Sequence, residues 1–296
     1  RNGLPNSKQQ GFVPVDGTEL TLPVTVVRGG APGKTALVTA GVHSREYVGV
    51  ETVRRLASAL DPSHVRGTVV LVHACNYAGF RLHSNDVLPQ DGKNLNHCFP
   101  GDPSGSAAER LAAFLCREFL SRSDLAIDLH SGGYNETLTP HGYYQAALDP
   151  AVCGASRELG CFADHPYLVQ VTATRGLFSY APALGVPAVL LELGYHDNYS
   201  DATWVETHRQ QIAQNLVLSL TEYFGLPFIW PIDPMDGTVN VAYGTLNLRS
   251  RPSHTSSVLA DMPNGARVRI YGQWQGWYVV HYGDLVGYAA AAYIDT

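Results

Sequence analysis

The side chains best suited to chemistry are two histidines and two glutamates from three separate parts of the chain. His43 and Glu46 stand close together in Gly41-Val-His-Ser-Arg-Glu-Tyr47, whereas His130 and Glu192 lie far downstream. Two imidazoles and one carboxylate are the protein ligands of a hydrolytic zinc ion, whose fourth position stays open for water. These residue types therefore predict a catalytic zinc site, with one further carboxylate left for acid–base chemistry.

The first pair lies between a predicted strand and a predicted helix. Residues 35–40 are a mostly apolar run of strand length, and residues 47–60 carry apolar side chains at helical spacing. His43 and Glu46 then follow the carboxyl end of a strand, where open α/β sheets bind ligands. The alternative interpretation of Glu46 is a carboxylate that satisfies backbone N–H groups in the first turn of the helix.

His130 and Glu192 both fall on predicted buried strands. Residues 125–130 form an apolar run that contains Asp128 and ends in His130. Glu192 stands in the apolar run 186–194, where a buried carboxylate needs either a chemical role or a partner such as an arginine. Asp128 could orient an imidazole of the site, but its position two residues before His130 favours contact with a different element.

The cysteines do not indicate a structural metal site, because no two of the five form a Cys-x-x-Cys pair. An odd number leaves at least one thiol unpaired within a monomer. Cys153 and Cys161 are close enough in sequence to suggest a loop disulfide, which would need oxidising surroundings. The metal ligands are therefore expected to be histidine and glutamate alone.

The order of these motifs resembles the zinc carboxypeptidase superfamily, particularly its succinylglutamate desuccinylase and aspartoacylase branch. The resemblance covers about residues 18–225. It rests on His43-Ser-Arg-Glu46, Asn76-Tyr-Ala-Gly-Phe80, the segment from Asp91 to Gly101, Asp128-Leu-His130 and Glu192-Leu-Gly194.

This resemblance implies an α/β fold with a mixed central sheet flanked by helices. It also implies that His43, Glu46 and His130 bind one zinc ion. Glu192 would be the general base, which takes a proton from the attacking water and delivers it to the leaving amine. Zinc lowers the pKa of its bound water to about 7 and polarises the scissile carbonyl, which suits these roles. The implied reaction is hydrolysis of an amide bond.

The expected substrate-binding residues depart from the family pattern. Members carry Asn-Arg after the Asp-Gly motif, and that arginine binds a substrate carboxylate. The equivalent pair here is Asn96-His97. An imidazole is neutral or only partly charged near pH 7, so carboxylate recognition is expected to be weaker at this position.

Other charged side chains could contribute to substrate binding. Arg45, Arg81 and Arg175 are three candidates for the cation that polarises the substrate carbonyl, and the sequence does not choose among them. Asp86 aligns near a second family arginine. If Asp86 faces the pocket, it favours a substrate that carries an amine, whereas a turn-forming aspartate is the alternative.

The chain changes character near residue 225. Residues 1–226 are the predicted catalytic domain, and the proline-rich residues 227–237 predict a semi-rigid linker. Residues 238–296 contain short alternating strands separated by turn signals and resemble a bacterial SH3-type domain. That resemblance implies a small C-terminal β-barrel that binds peptides or the bacterial cell wall. A barrel that only encloses one side of the active-site cleft is the alternative.

Composition and charge exclude several classes of protein. A chain of 296 residues with 45% hydrophobic content can bury an enzyme core and a second small domain. The formal net charge of -6 and the pI near 6.0 argue against a nucleic-acid partner. No apolar run reaches the roughly 20 residues that span a bilayer.

The leading hypothesis from the sequence is a bacterial, exported zinc metallopeptidase or amidohydrolase. It would cleave an amide bond in peptidoglycan stem peptides or their fragments, as a carboxypeptidase or amidase, outside the cell or in its envelope. A cytoplasmic deacylase of small N-acyl amino acids is the first alternative, although it needs the carboxylate recognition that the missing arginines weaken. A catalytically inactive wall-binding protein is the second, and the presence of every expected ligand together with Glu192 disfavours it.

Overall fold

The computed structural model describes residues 5–132, 142–146, 149–162, 168–172, 175–195, 199–224, 231–283 and 285–296. The chain divides into two compact units, residues 1–215 and 216–296. The strands of the first unit are β1 (Ser7–Pro14), β2 (Thr21–Arg28), β3 (Ala31–Ala40), β4 (Arg66–Val72), β5 (Leu125–Gly132), β6 (Gly142–Gln145), β7 (Leu168–Val171) and β8 (Ala188–Tyr195). The α-helices are α1 (Tyr47–Ala59), α2 (Tyr77–Leu82), α3 (Ala107–Glu118), α4 (Pro150–Phe162), α5 (Leu177–Tyr180) and α6 (Tyr199–Phe224).

The strands of the first unit form one mixed sheet in the order β1-β2-β4-β3-β5-β8-β6-β7. Its central strands β4, β3, β5 and β8 are mutually parallel. The strands β1 and β2 add to one side in antiparallel pairing, and β6 pairs antiparallel with β8 on the other. Because β3, β5 and β8 run in the same direction, the residues at their carboxyl ends meet at one edge of the sheet. The predicted mixed central sheet is confirmed.

Helices cover both faces of this sheet, as predicted. Helix α1 packs on the face that carries Ala40 and Leu129, and a Cβ atom at Gly49 would lie 2.9 Å from the Leu129 carbonyl oxygen. This close approach therefore requires glycine. Helix α3 contributes Leu111 to the core on the opposite face, together with Leu37. None of the described helices is long and apolar enough to cross a membrane.

The suggested disulfide between Cys153 and Cys161 is wrong. Both residues belong to α4, and eight positions along an α-helix correspond to about 12 Å. Bridged cysteines have Cα atoms no more than about 7 Å apart. Cys153 is accordingly a free thiol, whose sulfur accepts a hydrogen bond from Gln170 at 3.5 Å.

The strands of the second unit are β9 (Pro231–Val239), β10 (Thr245–Arg249), β11 (Val258–Pro263), β12 (Arg267–Trp274), β13 (Trp277–Tyr282), β14 (Leu285–Ala290) and β15 (Ile294–Asp295). They form an antiparallel sheet in the order β11-β10-β14-β13-β12-β9-β15. Leu248, Met262, Ile270 and Val280 are fully buried within it. This arrangement is consistent with the predicted SH3-type domain.

The proline-rich segment differs from the prediction, because β9 begins at Pro231 and pairs with β12. Residues 231–237 of the predicted linker are therefore part of the sheet. Prolines are tolerated here because β9 lies next to the sheet edge, where only the short β15 covers its end at Thr238 and Val239. Residues 225–230 lie outside the described residues, so the domain boundary after residue 226 stays a prediction.

Candidate metal centre

The side chain of Glu46 lies between the imidazoles of His43 and His130. Its Oε1 atom is 2.7 Å from Nδ1 of His43, and its Oε2 atom is 3.0 Å from Nδ1 of His130. Glu46 immediately precedes α1, but its side chain makes no capping hydrogen bond to that helix. The alternative interpretation of Glu46 as a helix-capping carboxylate is therefore wrong.

Strand register places Glu192 beside this group. His130 on β5 and Glu192 on β8 are direct partners in the parallel pairing of the two strands. Partner residues on adjacent parallel strands point to the same face of a sheet, so both side chains project from the same face. His43 reaches this region from the turn after β3, and its ring centroid is 5.2 Å from that of His130. The structure thus brings together the predicted metal ligands and places the predicted general base next to them.

The electrostatics of the group favour an ionised glutamate. Burial opposes ionisation of Glu46, which is 7% exposed, but attraction to His130 and His43 outweighs this effect and lowers its pKa to about 2. Burial likewise opposes protonation of His130, yet the carboxylates of Glu46 and Asp128 raise its pKa well above the usual value. Glu46 therefore stays ionised, as a metal-binding carboxylate must be.

The donor atoms fit a divalent metal ion. One ligand atom from each of His43, Glu46 and His130 lies within 4.8 Å of the others. The Oε2 atom of Glu46 is buried, and the Nδ1 atom of His130 lies 3.0 Å from it without the geometry of a full hydrogen bond. Two imidazole nitrogens and one carboxylate oxygen are the donor types of a hydrolytic zinc site. These residues would therefore hold a zinc ion.

Asp128 orients His130, contrary to the contact expected from the sequence. Its Oδ2 atom lies 3.3 Å from Nε2 of His130, and its Oδ1 atom accepts a hydrogen bond from the Thr39 hydroxyl at 2.7 Å. Residues two positions apart on a strand share a face, which explains the contact. A carboxylate beside Nε2 favours a proton on that atom, which would leave Nδ1 to bind a metal ion. Thr39 was missed, although its polar side chain in an apolar strand was a usable signal.

Asn96, His97 and Arg175 form a second cluster of predicted site residues. A guanidinium nitrogen of Arg175 lies 3.4 Å from Nε2 of His97, and the Gly176 N–H donates to the Asn96 carbonyl oxygen at 2.8 Å. Desolvation lowers the pKa of His97, and the positive charge of Arg175 lowers it further. Arg175 therefore supplies a positive charge beside position 97, where the family arginine is replaced by His97.

The other predicted substrate-binding residues, Arg45, Asp86 and Arg81, lie outside this cluster. Arg45 forms a forked ion pair with Asp86, in which its Nε donates to Oδ1 at 3.2 Å and its Nη2 donates to Oδ2. Asp86 thus has a matched charge, which removes the basis for expecting it to bind a substrate amine. Arg81 is exposed on α2, with its guanidinium 6.0 Å from the centre of the Tyr77 ring. Among the described residues, Arg81 makes no contact with His43, Glu46 or His130.

The fold and the group of His43, Glu46 and His130 are those expected of the zinc carboxypeptidase-like superfamily. Residues 32–219 match the succinylglutamate desuccinylase/aspartoacylase catalytic domain, and residues 244–295 match the bacterial SH3 domain. The chain belongs to the succinylglutamate desuccinylase/aspartoacylase family, which is zinc-dependent.

One curated relative is the N-alpha-acetyl-L-2,4-diaminobutyric acid deacetylase of Halomonas elongata, with 40% identity over 139 residues. That match covers 45% of this chain and 40% of the relative, so the chain matches less than half of the relative's length.

Solved structures share the fold at lower identity. A succinylglutamate desuccinylase/aspartoacylase from Rhodobacter sphaeroides has a TM-score of 0.64 at 23% identity, covering 97% of this chain and 95% of that one. The product-bound ectoine utilization protein EutE (DoeB) from Ruegeria pomeroyi also has a TM-score of 0.64 at 23% identity, covering 97% and 88%. These likenesses concern the fold, and both extend over almost all of this chain.

Proposed function

We propose that the protein is a zinc-dependent deacylase that hydrolyses the amide bond of small N-acyl amino acids. The observation that carries this proposal is the buried group of His43, Glu46 and His130 in register with Glu192, in a chain of the desuccinylase/aspartoacylase family. The similarity to a deacetylase of an acetylated diamino acid supports the same substrate class. The comparisons thus favour the deacylase alternative over the leading hypothesis from the sequence.

The residues of the proposed site have different roles in amide hydrolysis. His43, Glu46 and His130 would hold the zinc ion, which when bound would supply a Lewis acid and lower the pKa of water to about 7. Asp128 keeps the His130 proton on Nε2. Glu192 accepts the proton of the attacking water and passes it to the nitrogen of the leaving amine, which must be protonated to depart.

Recognition of the substrate carboxylate is assigned to the cluster of Asn96, His97 and Arg175. The guanidinium of Arg175 is the permanent positive charge of this cluster, and a guanidinium can bind a carboxylate through two parallel hydrogen bonds. The weaker recognition expected from His97 alone is thereby offset, which makes the small-substrate proposal chemically consistent.

Hydrolysis of an amide in a peptidoglycan stem peptide is the second candidate. The specific observation in its favour is the bacterial SH3 domain at residues 244–295, since such a domain can deliver a catalytic unit to a peptide-containing wall. A location in the cell envelope belongs to this candidate, whereas the deacylase proposal is compatible with a cytoplasmic location.

Incubation of the zinc-loaded protein with two substrate sets separates the candidates. One set contains N-acetyl and N-succinyl amino acids, including singly acetylated diamino acids, and the other is a muropeptide mixture; products are identified by mass. The proposal predicts release of the acyl group from the small substrates. Loss of a stem-peptide residue without small-molecule deacylation would establish the second candidate instead. Inertness of both wild type and Glu192→Gln towards both sets would support a binding protein.

A further inference from the structure

The short loop that carries two metal ligands is held by a neighbouring segment through its other side chains. Residues 83–86, here called the bracing segment, contact Ser44, Arg45 and Tyr47 of that loop. The Ser44 hydroxyl donates to the Ser84 carbonyl oxygen, Arg45 forms its ion pair with Asp86, and the Tyr47 hydroxyl lies 3.1 Å from Nδ1 of His83. While His43 and Glu46 face the ion site, the residues around them face the bracing segment.

The ion pair is the strongest of these contacts. Arg45 and Asp86 are 27% and 29% exposed at their side chains, so solvent screens the pair only in part. The fork engages Nε and Nη2 of the guanidinium with both carboxylate oxygens, which fixes the direction of the Arg45 side chain as well as its position. Because Arg45 directly precedes Glu46, this constraint acts one residue away from a metal ligand.

The bracing segment is itself fixed by its surroundings. His83 and Asp86 both have φ of 52°, a left-handed conformation that side chains other than glycine seldom adopt. The Ser84 hydroxyl donates to the Val87 carbonyl oxygen at 2.8 Å, and the fully buried Asn76 donates its side-chain amide to the same oxygen at 3.1 Å. The Asn76 N–H also donates to the carbonyl oxygen of Gly41 at 2.8 Å, just before the ligand loop. Asn76 therefore joins the two segments.

We infer that Asp86 is a positioning residue of the metal centre, which holds Arg45 so that His43 and Glu46 are set in their metal-binding arrangement before the ion arrives. This inference rests on the metal site of the proposed function. This role differs from the two that the sequence suggested for Asp86, which were to form a turn or to bind a substrate amine. Residues that orient metal ligands typically contribute about 10- to 100-fold to metal affinity.

The test is zinc affinity, measured by competition with a chelator of known affinity on metal-free protein. Asp86→Asn is the main variant, because asparagine keeps the shape of the side chain and tolerates the left-handed backbone. We expect its zinc affinity to fall about tenfold or more. Asp86→Glu, which keeps the charge, should recover part of the loss. Asp16→Asn is the matched control, since it removes the exposed ion pair between Asp16 and Arg117 and should leave zinc affinity unchanged.

A double-mutant cycle with Arg45→Gln adds a second test. If Asp86 acts through Arg45, the double variant should bind zinc no more weakly than the weaker single variant. Cobalt substitution gives a spectroscopic test, because its visible absorption reports ligand geometry, and the band should change in Asp86→Asn but not in Asp16→Asn. Circular dichroism of the metal-free proteins establishes that each variant is folded.

Unchanged zinc affinity and an unchanged cobalt spectrum in a folded Asp86→Asn variant would overturn the inference. Additive losses in the cycle would also overturn it, by showing that Asp86 does not act through Arg45. Deacylation is not part of either readout, so normal metal binding without deacylation would contradict only the proposed function. A wild-type protein that binds neither ion would overturn the metal centre and the inference together.

Discussion

The metal centre and the cluster of Asn96, His97 and Arg175 lie in the same unit but are built differently. The residues of the metal centre are buried, since Glu46, Asp128 and His130 are at most 7% exposed. Asp128 and His130 lie on β5, and Glu46 lies in the turn after the neighbouring parallel strand β3. His97 and Arg175 are exposed and lie outside the strands of the sheet. The register of the central sheet thus fixes the geometry of the proposed metal centre, whereas segments outside the sheet carry the cluster proposed to recognise the substrate. Substitutions at the metal centre should therefore have larger effects than substitutions in the cluster.

The largest effect is expected at the proposed general base. Glutamine at position 192 has the size of glutamate but cannot accept the proton of the attacking water. We expect Glu192→Gln to lower kcat by about 10²- to 10⁴-fold. Steady-state hydrolysis of an N-acetyl amino acid, with zinc content measured in parallel, tests this. Zinc binding should persist because all three ligands remain, and a kcat close to that of wild type would show that another group moves the proton.

A smaller effect, on metal affinity, is expected at Asp128. Asparagine can still accept the hydrogen bond from Thr39, but it removes the negative charge next to Nε2 of His130. Zinc affinity should fall about 10- to 100-fold. Asp236→Asn is a control in the second unit, where it removes the exposed partner of Arg269. Equal zinc affinity in the two variants would mean that Asp128 does not support the metal ligand.

The smallest effect is expected in the exposed cluster. Arg175→Gln removes the permanent charge next to His97 but leaves the metal centre intact. Exposed charge pairs contribute up to about 1 kcal/mol, so KM for an N-acyl amino acid should rise roughly fivefold with little change in kcat. A substrate whose carboxylate is capped as an amide should show no such rise. A larger fall in kcat than rise in KM would instead place Arg175 at the reacting carbonyl.

Sequence patterns predicted the structure correctly where local rules and the family resemblance agreed. The apolar runs predicted the strands of the central sheet, and the histidines that end or follow them predicted the group that the structure brings together around Glu46. That β5 lies beside β8, with His130 opposite Glu192, is a tertiary fact that no local pattern contains.

The errors came from contacts that a local pattern does not report. Asp128 was expected to contact another element because its distance along the chain was considered without the two-residue periodicity of a strand. The pairing of Asp86 with Arg45 joins residues 41 positions apart, so neither local sequence predicts it. The prolines of β9 indicated a linker because proline disfavours central strands, but the position of β9 near a sheet edge accommodates them.

The most direct test of the metal centre is anomalous X-ray scattering at the zinc edge from crystals of the zinc-loaded protein. We predict one strong peak in the first unit, within bonding distance, about 2 Å, of Nδ1 of His43, Nδ1 of His130 and the carboxylate of Glu46. Absence of a peak among these atoms, or a peak bound by other residues, would contradict the central claim.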